Sequence, residues 1–509
     1  MNYADLFRIT LPETVLEVAA LLVLLVDLAF LRTAALRIRA TVASVLGIAG
    51  CAVGLLAMLG QGSQTFCATG TVDTALLSTG GLIAAAQSGI FVLTALTLLL
   101  LIDSKFTRHP GEYVAVALMS ATGGLIISGA QDLLVIFIGL ELLSLGLYIL
   151  TAFAKQSGRS AEAALKYYLF GGMSAAFLLF GFSYLYGLTG STNLHQVVQG
   201  SITSIGSGSP LFYVALVLIA AGLGFKVAAV PFHLWAPDAY EGAPAPAAAF
   251  IASVSKVASF ALLIGIGTAI LHPFGNSSFN LDILAKLPPP KYVGLQEPWS
   301  IVLAILAAAS MLVGNLAALA QTSVRRLLAY SAIAHAGYIL LALAYPTESP
   351  RSNEAVLYYI LTYGLTTVGA FGVVGVVERA TGSDKLDAFL GLNKRNSLLA
   401  AVLLILLLSL AGIPPLVGFW AKFNLFTAVL AAGHGVVPFT LVALAVGMSA
   451  VSLYYYLQVL KRAYVMSAPP GLCCIDVHPV TAMVLALIAA AVLVMGCMPA
   501  VLQNWIASL

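Results

Sequence analysis

The chain has 509 residues, of which 61% are hydrophobic and only 8% charged, with a formal net charge of +3; soluble domains carry about a quarter charged residues. That composition excludes a water-soluble protein, and no nucleic-acid partner is expected of it. The five cysteines form no CxxC pair and no zinc or iron–sulfur spacing, and neither a GxxxxGK[ST] loop nor a dinucleotide fingerprint is present, so no cofactor or metal site is expected in this chain.

Apolar runs long enough to cross a hydrocarbon core of roughly 30 Å recur along nearly the whole length. The first, 11–32, is followed by the basic stretch "RTAALRIRA" and reads as a retained helix rather than a cleaved signal; Glu13 and Glu17 stand one turn apart near its start, with Asp27 nearer its far end. Segments 40–60 and 82–102 complete an N-terminal three-helix part, 1–110. Segments 113–130, 132–153, 162–188, 211–235 and 244–271 follow, within 111–271. Asp132 stands at the mouth of the fifth, where a solvated helix start is the plainer reading, and Glu141 lies nine residues into it. The seventh carries Lys226 and then Pro231 in "FKVAAVPFHLW", with His233 just beyond; Asp238 and Glu241 follow in what reads as a loop. The eighth carries Lys256 in "IASVSKVASFALL". Segments 299–320, 324–345, 354–378, 397–432 and 438–460 follow within 299–462. His335 lies eleven residues into the tenth, and Lys422 comes seven residues after the "GIPP" break in the twelfth. A last segment, 480–503, lies in 480–509 and makes fourteen.

Loop charges support that count. With the N-terminus outside, the inward loops hold sixteen lysines and arginines, from Arg32, Arg37 and Arg39 to Lys461 and Arg462; the outward side holds four, Arg8, Lys286, Lys291 and Arg351. The positive-inside rule then places both termini away from the cytoplasm. Three lysines, Lys226, Lys256 and Lys422, belong to no loop and fall near the bilayer midplane, where each costs on the order of 2.5–3.5 kcal/mol.

A glutamate and a lysine at one depth on separate helices can pair. Pairing keeps both ionised, whereas separation favours the neutral lysine, so Glu141 and Lys226 form a proton switch. A lone mid-helix histidine is more often a packing residue, but spacing changes the reading of His335. Glu141 to Lys226 is 85 residues and His335 to Lys422 is 87; Glu141 to His335 is 194 and Lys226 to Lys422 is 196. The chain therefore repeats, helices 4–8 against 9–13. Five helices per unit is an odd number, so the second unit is inverted, with broken helices 7 and 12 carrying the buried lysines. The fold expected is an all-α polytopic membrane protein of fourteen transmembrane helices, with Lys256 linking its halves.

The stretches "DLLVIFIGLELLSLGLYILTAF", "EAALKYYLFGGMSAAFLLFGFSYLYGLTGSTNL", "GFKVAAVPFHLWAPDAYEGAPAP" and "AGIPPLVGFWAKF" closely resemble the antiporter-like membrane subunits of bacterial NADH-quinone oxidoreductase, respiratory complex I, over almost the entire chain. The eighth segment and Lys422 resemble the N type more than the L or M type, and no long lateral helix follows the last segment. The resemblance implies a bacterial inner-membrane subunit that moves protons outward while electrons pass from NADH to quinone elsewhere. Flavin, iron–sulfur clusters and the quinone site would belong to other subunits, and a neighbouring antiporter-like subunit, small membrane subunits and the lipid bilayer would be its partners. It further implies Glu141 and Lys226 as coupling pair, Lys256 as central relay, His335 as a tenth-helix relay and Lys422 as outlet. The alternatives are an Mrp-type cation/proton antiporter subunit and a purely structural membrane subunit.

Overall fold

The computed structural model describes residues 3–67, 75–104, 106–206, 209–271, 293–346, 351–432, 435–467 and 474–508. Lys105, Lys286, Lys291 and Cys473 lie outside the described residues. Eleven described helices are long and apolar enough to cross a membrane. Leu11–Ala29 makes a further crossing that carries three acidic residues, and three shorter apolar helices build two broken ones. Together these give the fourteen crossings expected.

In chain order the helices are α1 Tyr3–Ile9, α2 Leu11–Ala29, α3 Leu36–Leu59, α4 Gly81–Leu101, α5 Pro110–Gly129, α6 Leu133–Thr151, α7 Gly158–Thr189, α8 Leu194–Gly206, α9 Pro210–Lys226, α10 Trp235–Gly242, α11 Ala245–Leu271, α12 Val293–Leu319, α13 Val324–Ala344, α14 Arg351–Thr381, α15 Leu392–Arg395, α16 Ser397–Ala411, α17 Val417–Ala432, α18 Val436–Tyr464, α19 Pro479–Cys497 and α20 Pro499–Ser508. A two-stranded antiparallel hairpin, β1 Gln64–Cys67 with β2 Ala75–Thr79, joins α3 to α4; the sequence reading did not foresee it.

The five-helix repeat is visible in backbone hydrogen bonds. Leu133 N–H donates to Thr192 O at 2.8 Å and Leu194 N–H to Gln131 O at 2.9 Å; Val324 N–H donates to Asp384 O at 2.9 Å and Leu386 N–H to Thr322 O at 2.9 Å. Each pair ties the start of a repeat's second helix to the segment after its third. The first tie packs beside the hairpin, where Gln131 N–H reaches Leu76 O. The second packs among the arginines of the opposite face, Arg325 and Arg326. The same device thus lies on opposite sides of the molecule, which is what inversion requires.

Burial sorts the helices by role. Of the 18-residue windows that would cross the membrane, 94% of α11, 94% of α13 and 89% of α14 is buried inside the protein, against 33% of α7 and 22% of α18. A helix that is apolar all round belongs in a core when helices surround it, and α11, α13 and α14 are that core. They also carry Lys256 and His335.

Candidate functional site

The seventh crossing does not run through Pro231. Helix α9 stops at Lys226 itself, residues 227–234 are non-helical, and α10 resumes at Trp235. Ala228 takes a positive φ of 57° within the break, uncommon for a residue with a side chain. The twelfth crossing breaks likewise: α16 ends at Ala411, Gly412 adopts the left-handed conformation and α17 begins at Val417. Both breaks contain a cis X–Pro peptide, Val230–Pro231 and Pro414–Pro415.

Glu141 and Lys226 meet. Lys226 Nζ lies 3.3 Å from Glu141 Oε1 and 2.5 Å from Ser144 Oγ, one turn further along α6. The lysine side chain is 6% exposed and the glutamate 25%. Ile138 and Leu145, which flank Glu141 on its helix face, are 63% and 49% exposed, so the carboxylate sits on a lateral strip of the molecule.

The other two lysines serve the breaks. Lys256 Nζ donates to the carbonyl of Val227, the residue directly after Lys226. Lys422 Nζ donates to Leu410 O at 3.0 Å and Ala411 O at 2.9 Å, and lies 2.8 Å from Ser449 Oγ. A helix that ends inside the protein leaves carbonyls without partners and the negative end of its dipole unscreened; a lysine satisfies both. Relative to the break it caps, Lys256 therefore stands to the first half as Lys422 does to the second. Lys226, which the repeat offset matches with Lys422, lies at the end of its own half-helix.

His335 contacts none of the lysines directly. Its Nδ1 lies 2.7 Å from Tyr359 Oη and its Nε2 3.4 Å from Tyr456 Oη, and its ring packs on Tyr338, Tyr359 and Tyr363. Lys422 Nζ sits 5.4 Å from the centroid of the Tyr338 ring, a cation–π distance. The sequence reading missed this tyrosine nest, although Tyr338 three residues after His335 and the i,i+4 pair Tyr359 and Tyr363 were readable as facing positions. It also missed Ser144 and Ser449, since a serine in an apolar helix has no distinctive spacing.

Asp132 is not a solvated helix start. It is 6% exposed and caps α6, accepting from Leu134 N at 2.8 Å and from Thr192 Oγ1 at 2.6 Å. Asp238 and Glu241 are not loop residues either. They lie on α10 and bind Arg326 at 2.6 and 2.9 Å, while Lys166 reaches Asp238 at 2.8 Å. Arg325 adds bonds to Ala243 O at 2.5 Å and to Glu378. Glu13 is buried and Glu17 exposed, so the two do not share a surface. Asp27 pairs bidentately with Arg39 at 2.8 and 2.7 Å. His233 is buried beside the first break, and its Nδ1 has no partner among the described residues.

Comparison with known proteins gives one consistent picture. Residues 130–279 and 283–449 match the family described as NADH:quinone oxidoreductase/Mrp antiporter, TM, the first stretch containing α6 to α11 and the second α12 to α17. A relative from Acidobacterium capsulatum, named NADH-quinone oxidoreductase subunit N 2, is 45% identical over 99% of both chains. Among solved structures, a chain of respiratory complex I from Thermus thermophilus with bound aureothin superposes with a TM-score of 0.75 at 31% identity, covering 97% of this chain and 98% of that one. A chain of the Mrp complex from Dietzia shares the fold, with a TM-score of 0.77 at 20% identity and coverage of 98% and 96%.

Proposed function

This chain belongs to the transmembrane family of NADH:quinone oxidoreductase and Mrp antiporter subunits, and from that premise we propose that it is the N-type, proton-translocating, non-redox subunit of an NADH-quinone oxidoreductase. The observation that carries the reading is the placement of three buried lysines, one on a carboxylate and two on the carbonyls of broken half-helices. Each lysine has a partner that can hold it, so each can exchange a proton without being stranded as an uncompensated charge in an apolar interior.

The steps follow from these contacts. While Glu141 faces Lys226, both stay charged. When the carboxylate moves away, desolvation favours the neutral amine and Lys226 gives up its proton. The nearest receptive cluster is the break itself, where Lys256 binds the adjacent carbonyl. From there the proton passes through the tyrosine nest around His335 to Lys422 and out through the second unit. Residues 111–271 and 299–462 would act as the two halves of this path, 1–110 and 480–509 as its flank, and both termini would face away from the cytoplasm. Electron transfer from NADH to quinone, with its flavin and iron–sulfur chemistry, would belong to other subunits. The partly exposed Glu141 strip at mid-membrane also calls for a polar neighbour, because a carboxylate facing lipid is costly; an adjoining membrane subunit of the complex fits.

The test is substitution in the assembled complex. Lys226→Ala and Glu141→Ala should lower quinone reduction and proton pumping together by on the order of 10²-fold, the lower range for loss of a positioned proton-transfer group. Lys226→Arg should fail as well, since the guanidinium does not deprotonate. Unchanged pumping in all three variants rejects the reading. An Mrp-type antiporter subunit is distinguished by purification: a particle without flavin and iron–sulfur absorbance would favour it.

A further inference from the structure

Between Lys256 and His335 the described side chains make no direct hydrogen-bonded link, yet two buried hydroxyls stand at that junction with no protein partner. Tyr363 on α14 is 5% exposed and Tyr240 on α10 is 0% exposed, and neither Oη has a hydrogen-bond partner among the described residues. Buried hydroxyls in folded proteins are nearly always satisfied, by protein or by ordered water.

Their surroundings are specific. The Tyr363 ring packs 4.9 Å from the imidazole of His335. Gly364, the next residue, faces Ser253 on α11, which lies one turn before Lys256, so Tyr363 sits at the depth of both relay residues. Tyr240 packs edge-on against Phe371 of the same helix α14, at 5.7 Å. Tyr363 also lines a cavity of about 10 Å³ with His335, Thr362, Thr366, Ser409 and Leu410. That is about the space one water molecule needs, and a water is retained where several polar groups converge. Leu410 is the residue whose carbonyl accepts from Lys422, so the cavity reaches from the histidine to the second break.

We propose that Tyr363 is a positioning residue that holds the water of this cavity, as the hinge of the proton path from Lys256 to His335 and the Lys422 break, and that Tyr240 stands on the approach to it from α10. This rests on the proton-translocating reading above. Each hydroxyl can donate to a water and accept from another, so a proton crosses by successive transfer and neither tyrosine has to ionise. The aromatic rings keep the rest of the junction dry.

The experiment uses the whole complex in membranes, with Tyr363→Phe, Tyr240→Phe, the double variant and Lys226→Ala as a control. Tyr363→Phe should assemble, pump protons roughly tenfold more slowly, the factor one hydrogen bond carries, and show a larger solvent deuterium isotope effect. The double variant should be no faster than Tyr363→Phe. Normal pumping and an unchanged isotope effect in both single variants, with Lys226→Ala inactive, overturn the junction and leave the wider reading standing. If Lys226→Ala also pumps normally, the wider reading itself fails. Should Tyr363→Phe not assemble, a high-resolution structure of the native complex decides: water within hydrogen-bond distance of Tyr363 Oη supports the proposal, and a hydroxyl packed only against carbon rejects it.

Discussion

Gly412 shows how a single residue sets the site. Its φ of 86° is one that L side chains rarely adopt, and a Cβ built there would stand 2.9 Å from Lys422 Cδ and 3.3 Å from its Nζ. The glycine therefore both closes the half-helix and leaves the lysine its approach to the carbonyls of Leu410 and Ala411. Gly382 also has a positive φ, 72°, but nothing lies within 4 Å of the position its Cβ would take. Gly412→Ala and Gly382→Ala should each cost about 1–2 kcal/mol of backbone strain, seen as a lower thermal midpoint of the complex. Only Gly412→Ala should also slow proton pumping, because only there does the new methyl displace a lysine. Equal pumping in the two variants would show that the crowding has no consequence.

Among the elements, α10 is too short to stand alone. It has eight residues, well below the length at which an isolated helix persists in water, and it must place Tyr240 and the second side of the first break. Arg326, from the other five-helix unit, holds it through Asp238 and Glu241, and Lys166 holds it from α7. Burial pushes the Asp238 carboxyl up, but the hydrogen bonds and charges of Lys166 and Arg326 outweigh it, and the group is held below the usual carboxylate range. A depressed folded value means that the latch stabilises fully above the unfolded aspartate value of about 3.9 and is lost as pH falls from there through the folded one. Asp238→Asn should lower thermal stability at pH 7 by about 1 kcal/mol or less, the range of partly exposed ion pairs, and should weaken the fall in stability below about pH 4. Melting curves across that range check both; an identical acid limb would remove Asp238 from the latch.

For the whole molecule, the fourteen crossings fix which loops share a face, and loop charge predicts which face is cytoplasmic. Cys474 is exposed in the segment between α18 and α19, on the face that holds the arginines. With Cys474 kept as the sole cysteine of this chain, a membrane-impermeant maleimide should label this subunit in inside-out vesicles and leave it unlabelled in right-side-out vesicles. The reverse pattern would invert the proposed orientation. The inverted repeat itself was legible because its cause is local: an odd number of apolar segments, a buried lysine near a proline in each unit, and a near-constant offset between matching residues. Periodicity could not say which way these helices turn, because α11, α13 and α14 are apolar on every side and carry no polar face to orient them. The sequence by itself determined the crossings, the charge asymmetry and the depth of Glu141, Lys226, Lys256, His335 and Lys422, since all three follow from the cost of placing charge in hydrocarbon. Only the tertiary structure decided what each of them holds: Lys256 on the Val227 carbonyl, Lys422 on those of Leu410 and Ala411, His335 among tyrosines. Those partners come from elements distant in the chain, and a hydrogen bond depends on where two helices bring their atoms together, which residue spacing along one chain does not encode.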